Sequence, residues 1–392
     1  MRLLYLSADP GIPILGGKGA SVHVRALLAA LVALGHDVIA ASPRLEPGIN
    51  VLPIGVRGVE IPAVRPRECA TPAEVLAQAV FQTAAVEGLA RDAGVEAIYE
   101  RYSLASFAGA RASVTLGIPM VLEVNAPLRA EEQRFRQLAH EAAAIQAELE
   151  TFAAARRIFV ISGSLAQWLT DNGVNATRVE VMENAPPARS FQTKAPIDKS
   201  SDVVVGFSGG LKPWHGIENL LQGFELALQG GARMRLEILG SGPAERSIEQ
   251  AALPDGRLVR LGHVPHEQAL DALERWDVGV AAFSDLEGFY FSPLKLFEYM
   301  AAGLCPVVSD VGGLGAIVEH GRAGIVVAPD DPRALAQALL TLDRNRALLR
   351  ELGARARSVA GRRPSWADNA GRVIAAIEDA CTPSSAIGGE RR

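Results

Sequence analysis

The sequence predicts an α/β protein built from two doubly wound parallel-sheet domains in series. Three observations carry this. Short apolar runs alternate with helical patterns along nearly all of the 392 residues, as expected for parallel strands covered on both faces by helices. The alternation pauses once, at Ala185-Pro186-Pro187 and the polar stretch Thr193–Asp202, and then restarts. The length also exceeds what one compact core holds.

In chain order, Leu3–Ser7 reads as the first strand, Ser21–Leu34 as a helix closed by Gly35, and Asp37–Ala41 as the second strand. Strands follow at Ala97–Tyr99, Met120–Glu123, Ile158–Ile161 and Val179–Met182, with loops around Leu45–Ala70 and Leu128–Gln137. Past the linker, Val203–Ser208, Arg235–Leu239, Val259–Leu261, Val278–Ala282, Pro306–Ser309 and Gly324–Val327 read as strands separated by helices. Ser365–Ala380 has an amphipathic helical pattern, and 382–392 reads as a disordered tail. Ligands of such sheets sit beyond the carboxyl ends of the strands, where the strand order reverses, and a cleft between two such domains is the natural site.

Composition narrows the classes. A net charge of −5, with neither half basic, argues against a nucleic-acid partner. Three scattered cysteines (Cys69, Cys305, Cys381) suggest a reducing, cytoplasmic compartment without a disulfide or zinc framework. No run approaches the roughly 18 apolar residues of a membrane span; peripheral membrane contact stays open. The other histidines (His36, His140, His263, His266, His320) show no metal-ligand spacing.

The most informative stretch is Ser292-Pro293-Leu294-Lys295-Leu296-Phe297-Glu298-Tyr299-Met300-Ala301-Ala302-Gly303. Ser292 suits an N-cap and Pro293 the first helical position. The first-turn amides, at Leu294 and Lys295, then face an anion together with the positive end of the helix dipole. Lys295 reads as a mobile cation in that turn, poorly placed for the dipole and well placed for an anion. Glu298 follows one turn on, on the same face. A carboxylate repels phosphate but accepts from a sugar diol. Phosphate plus ribose means a nucleotide; the plainer reading is a capped amphipathic helix.

Other loops share this character. Gly16-Gly17-Lys18-Gly19 precedes the first helix, with His23 on that helix as a polar candidate. Gly209-Gly210-Leu211-Lys212-Pro213-Trp214-His215-Gly216 follows the first strand of the second domain and suits a phosphate. Gly312-Gly313-Leu314 follows a later strand. Asn125, in Glu123-Val124-Asn125-Ala126-Pro127, can donate to and accept from sugar hydroxyls. The neighbours Glu100 and Arg101 read as a structural salt bridge.

Together these motifs resemble the retaining, family-four nucleotide-sugar glycosyltransferases of the two-domain GT-B fold. The resemblance covers nearly the whole chain. It also rests on Gly35-His36-Asp37-Val38, Glu183-Asn184-Ala185, Leu239-Gly240-Ser241-Gly242-Pro243, Gly262-His263-Val264 and Ser365-Trp366. It implies an acceptor domain over 1–190, a donor domain over 202–362, a helix at 363–381 crossing back to the first domain, and two Rossmann-like halves facing across a cleft. It implies that Lys212 and Lys295 hold the diphosphate, that Glu298 takes the ribose hydroxyls, and that Gly312, Gly313 and Leu314 line the sugar. Ser292, Gly210 and His215 would lie at the phosphates, with Gly16 and Gly17 close by, and His263 and Val264 would meet the base.

The implied partners are a nucleoside-diphosphate sugar and a small-molecule, glycan or lipid-linked acceptor. No cofactor or metal is expected, because lysines and helix dipoles meet the leaving charge. Front-face transfer, with the departing phosphate taking the acceptor's proton, requires no protein nucleophile.

Two departures stand out. Where the family carries a glutamate eight positions before Glu298, this chain has Tyr290, and Glu287 lies three residues too early. Where it commonly carries an arginine and a lysine, this chain has Gly210 and His215, so Lys212 must supply the charge. The departures leave room for a pseudo-glycosyltransferase that binds without transferring, or for a nucleotide-sugar epimerase. The loop arginines Arg57, Arg65, Arg67, Arg129, Arg134 and Arg136 read as solvated charges, with an anionic acceptor as the alternative.

Overall fold

The computed structural model describes residues 1–45, 50–135, 137–194, 201–285, 290 and 293–381. Ser292, Glu287, Arg136 and the tail expected to be disordered lie outside them. The chain divides into two compact units. The first holds Met1–Leu15, Val24–Glu183 and the chain from Ala367 on; the second holds Gly16–His23 and Asn184–Trp366.

In chain order the first unit runs β1 (Arg2–Ser7), α1 (Gly19–Ala33, shared with the second unit), β2 (Asp37–Ser42), β3 (Val56–Glu60), α2 (Pro72–Ala93), β4 (Ala97–Arg101) and α3 (Ala108–Leu116). It continues β5 (Met120–Val124), α4 (Leu128–Phe135), α5 (Glu141–Ala154), β6 (Arg157–Val160), α6 (Gly163–Asp171) and β7 (Val179–Val181). The strands form one parallel sheet in the order β3-β2-β1-β4-β5-β6-β7. The central strand β1 is apolar from Leu3 to Leu6, all four residues buried, because helices cover both faces. The order reverses between β1 and β4.

Local chemistry sets the boundaries. The Thr71 side chain caps α2 by accepting from the Glu74 amide at 3.3 Å, and Pro72 opens the helix. Gly94, at φ 63°, closes it. Two stretches read as loops are ordered elements. β3 pairs in parallel with β2 at the sheet edge. Its sequence Val-Arg-Gly-Val-Glu has few apolar residues because an edge strand is only partly covered. α4, Leu-Arg-Ala-Glu-Glu-Gln-Arg-Phe, is half charged and too short to carry a clear run of helical periodicity.

The second unit runs β8 (Val203–Ser208), α7 (Ile217–Gln229), β9 (Met234–Leu239), α8 (Glu245–Glu249), β10 (Leu258–Gly262), α9 (His266–Leu273) and β11 (Val278–Ala281). It continues α10 (Leu294–Ala301), β12 (Cys305–Ser309), α11 (Leu314–Ile317), β13 (Ile325–Val327), α12 (Pro332–Arg344) and α13 (Arg346–Gly361). Its parallel sheet has the order β10-β9-β8-β11-β12-β13, reversing between β8 and β11. Val203, Val205 and Phe207 of β8 pack on one side with Leu220 and Phe224 of α7 and Leu335 and Leu339 of α12. On the other side Val204 meets Trp276 and Tyr299.

The last helix, α14 (Trp366–Cys381), belongs mainly to the first unit. There Arg372 donates to Glu180 and to the Val181 carbonyl, and Nδ2 of the Asn369 side chain donates to the Glu183 carbonyl at 2.9 Å. Among the described residues no helix is long and apolar enough to cross a membrane.

Candidate functional site

The second unit concentrates polar chemistry at the carboxyl end of its sheet, where the order reverses. β8 ends at Ser208, whose amide donates to the Tyr299 hydroxyl at 2.8 Å and so ties α10 to the strand end. The chain then crosses Gly209 and Gly210 into a short turn, Pro213–His215, ahead of α7. Gly216 has φ 62°, and a Cβ there would lie 1.8 Å from the Ala282 carbonyl oxygen, so only glycine fits between this turn and the end of β11. The Ser284 amide donates to the Trp214 carbonyl at 3.2 Å, a second tie between the two loops.

α10 enters the same place. Pro293 is the cap residue, at φ −80° and ψ 90°, and helical geometry begins at Leu294. The expected first helical position for Pro293 is therefore corrected by one residue. The amides of Leu294 and Lys295 make no hydrogen bond among the described residues, as the first turn of a helix requires.

Lys295 is not the mobile surface cation expected. Part of its stem reaches the surface, but its ammonium is buried and has no hydrogen-bond partner among the described residues. Nζ lies 4.1 Å from the centroid of the Phe207 ring and 5.1 Å from that of Phe283. A Cβ added at Gly209 would come within 3.1 Å of it. Burial pushes the ammonium down to about 7, against the opposing pull of Glu298.

His215 stands beside the same aromatic rings, its ring edge on Phe283 with centroids 5.2 Å apart and 6.1 Å from that of Phe207. Its Nδ1 meets the Gly210 carbonyl. A carbonyl only accepts, so Nδ1 carries the proton and Nε2 presents a lone pair. Burial, reinforced by the Lys295 charge, pushes the imidazole down to about 3. His215 is thus a neutral acceptor and supplies no positive charge. Lys212 is exposed on the same loop.

Glu298 is buried one turn along α10 from Lys295. Its Oε1 lies 2.8 Å from Nε2 of His266, the first residue of α9. Sequence reasoning passed over His266. The two residues stand 32 apart, and only the packing of α9 beside α10 joins them. Just before α9, His263 lines a cavity of about 270 Å³ with Leu211, Gly240, Ser241, Arg260 and Gly262. Val264 is half-buried beside it in sequence. Tyr290 is largely buried. Gly312 and Gly313, at φ 53° and 81°, turn β12 into α11. The Leu314 side chain is in the core and its amide donates to the Val311 carbonyl at 2.9 Å.

Of the candidates earlier in the chain, Gly16, Gly17 and His23 group with the second unit. A Cβ at the neighbouring Gly19 would lie in ordinary contact, 3.5 Å, with Leu294. His23 is buried, with Nδ1 2.5 Å from Asn184 Oδ1 and its ring edge-on to Trp366. In the first unit, Asn125 follows β5, and its Oδ1 is buried without a hydrogen-bond partner among the described residues.

Glu100 and Arg101 do not pair as expected. Consecutive strand residues face opposite sides of the sheet. Arg101 pairs with Glu123 at 2.7 Å, and Glu123 also accepts from the Tyr99 hydroxyl at 2.6 Å. The Glu100 carboxyl is buried with no partner among the described residues, and burial raises it to about 8. Several loop arginines meet carboxylates: Arg65 with Glu68, Arg67 with Glu132, Arg129 with Glu148. Among the described residues no three His, Cys, Asp or Glu side chains are grouped to hold a metal ion.

Residues 202–345 match the family model described as glycosyl transferases group 1, and residues 18–185 match the glycosyl transferase 4-like domain. The chain is similar to glycogen synthase of Mycobacterium tuberculosis, 25% identical over 363 residues that make up 86% of this chain and 85% of that protein. Other curated relatives are matched over a fifth to about half of their own length. Among solved structures, sucrose-phosphate synthase from Thermosynechococcus elongatus aligns with a TM-score of 0.75 at 18% identity, covering 97% of this chain and 100% of that one. HepE of Anabaena in complex with UDP-glucose aligns at 0.71 and 18% identity, with the same coverage. These likenesses, with the two parallel sheets, give the fold as GT-B.

Proposed function

This chain belongs to the group 1, family-four glycosyltransferases, and from that premise we propose that it moves a sugar from a nucleoside-diphosphate sugar to a hydroxyl acceptor, with retention and without a metal. The observation that carries the donor assignment is the Lys295 ammonium. It is buried and without a hydrogen-bond partner among the described residues, beside the helix start whose first amides have no bond there either. A buried cation held this way is matched by an anion brought from outside. That a similarly folded protein was solved with UDP-glucose supports a nucleotide-sugar donor.

In this reading the amides of Leu294 and Lys295 and the Lys295 ammonium receive the diphosphate, with Lys212 at the rim. Glu298 accepts from the ribose diol, and the cavity beside His263 takes the base. Gly312 and Gly313 line the sugar through their backbone. Nε2 of His215 accepts from a donor hydroxyl rather than gripping phosphate. The acceptor oxygen attacks the anomeric carbon as the carbon–oxygen bond to the diphosphate breaks, and the leaving phosphate oxygen takes the acceptor's proton. The protein's part is to position the reactants and stabilise the developing charge.

The test incubates the protein in EDTA with UDP-, ADP- and GDP-linked hexoses and a panel of glycan and lipid-linked acceptors. The product's anomeric configuration is read by NMR. An α-linked product from an α-linked donor is expected; a β-linked product rejects retention, and dependence on added metal rejects metal-free transfer. Tyr290, where the family carries a glutamate, favours a second reading as a pseudo-glycosyltransferase. Tight calorimetric binding without turnover across the panel would select it.

A further inference from the structure

We propose that His266 is the positioning residue for Glu298, orienting its carboxylate to accept from the ribose diol. The inference rests on the assignment of Glu298 to the ribose. A carboxylate oxygen only accepts, so the 2.8 Å contact has Nε2–H of His266 donating to Oε1 of Glu298. Both side chains are mostly buried, at 20% and 12% exposure, so the contact is shielded from competing water. A free glutamate turns about its terminal torsion with little preference. With one oxygen held, the carboxylate plane is set before the ligand arrives. Oε2 and the second lone pair of Oε1 then remain for two hydroxyl donors.

The placement of His266 explains why a histidine stands there. It opens α9 directly after Gly262-His263-Val264, the loop beside the cavity assigned to the base. Its ring thus joins the base end of the site to a carboxylate on α10. Loss of the contact would leave Glu298 present but loosely aimed, which weakens binding to the ribose without touching the diphosphate.

The experiment measures discrimination between ribose and deoxyribose. Calorimetry first finds which of UDP, ADP and GDP binds wild-type protein most tightly; that nucleotide, its 2′-deoxy form and inorganic pyrophosphate are the probes. Wild-type protein is expected to prefer the ribonucleotide about tenfold or more, the worth of one charge-assisted hydrogen bond. Glu298→Gln should remove most of that ratio. His266→Ala should reduce it about threefold or more while pyrophosphate affinity stays within twofold of wild type. His266→Gln, which keeps a donor, should recover part of it. His266→Phe keeps a ring without a donor and serves if His266→Ala does not fold; it should behave as the alanine variant. A full ratio in His266→Ala or His266→Phe, with the ratio lost in Glu298→Gln, overturns the role of His266 alone. A full ratio in Glu298→Gln overturns the ribose assignment and this inference with it.

Discussion

The two units place a buried cation near the carboxyl ends of their sheets and treat it in opposite ways. In the first, Arg101 meets Glu123 at 2.7 Å, and Tyr99 donates to the same carboxylate. In the second, Lys295 sits among Phe207, Phe283 and the Gly209 backbone, without a hydrogen-bond partner among the described residues. The first arrangement is complete as folded. In the proposed reading, the second is completed by the donor's diphosphate. Burial alone therefore does not mark a site; a buried cation without a hydrogen-bond partner among the described residues, beside free helix-start amides, is the stronger pointer.

That contrast predicts opposite outcomes for removing the two cations. Arg101→Met leaves the Glu123 carboxylate buried without its cation, and should cost about 3–5 kcal/mol of stability by urea denaturation. A loss below 1 kcal/mol would show that the pair is dispensable. Lys295→Met keeps the volume and deletes a desolvated charge, so the urea midpoint should hold or rise. Its transfer rate should fall about 10²–10³-fold, the usual loss on removing one donor to a developing oxyanion. Near-normal turnover would reject the assignment of Lys295 to the diphosphate.

Glu100 sharpens the comparison, because it is buried charge chemistry with no ligand to explain it. It lies on the opposite face of β4 from Arg101, and a Cβ at Gly109 of α3 would lie 2.1 Å from its Oε2. Its folded value of about 8 stands above the 4.5 of an ordinary glutamate. Between those values the folded protein holds a proton that the unfolded chain has released. Stability is therefore full below pH 4.5, falls as pH rises through the window, and levels off above 8. The slope approaches about 1.4 kcal/mol per pH unit within the window. In urea denaturation from pH 5 to 8, Glu100→Gln should flatten this slope, matching wild type near pH 5 and exceeding it near pH 8. An unchanged slope would mean that Glu100 finds a partner in solution.

Most of the framework was legible because its strands are buried on both faces and read as continuous apolar runs. The edge strand β3 was not, since an exposed edge needs no such run and Gly58 interrupts it. In the site, the Ser-Pro-Leu-Lys-Leu-Phe-Glu stretch announced a helix start with Lys295 and Glu298 on one face. What it could not announce was the environment. Whether the Lys295 ammonium waves in solvent or lies buried over two aromatic rings depends on Phe207, at the end of β8, and Phe283, just past β11. The neutrality of His215 depends on its burial and then on that same lysine, against the opposing pull of the Gly210 carbonyl five residues back. His266 carried no motif, because its partner Glu298 is supplied by the packing of another helix.

The smallest expected effect is also the most diagnostic of the Lys295 environment. Because burial lowers its ammonium to about 7, a fraction of the free protein is neutral there at pH 7 and most is neutral at pH 8.5. An arriving diphosphate favours the charged form, raising that value in the complex. Binding above pH 7 should therefore take up a proton. Affinity should be highest below pH 7 and fall by up to about tenfold per pH unit as pH rises above it, until the value in the complex is reached. Calorimetry of UDP, ADP or GDP at pH 8 in buffers of different ionisation enthalpy reads the uptake directly. Lys295→Met should abolish it and leave a flat profile. Arg101 offers the control: its partner is already in place, so Arg101→Lys, if folded, should leave the proton uptake unchanged. Proton uptake that persists in Lys295→Met would move the titrating group elsewhere and break the contrast between the two cations.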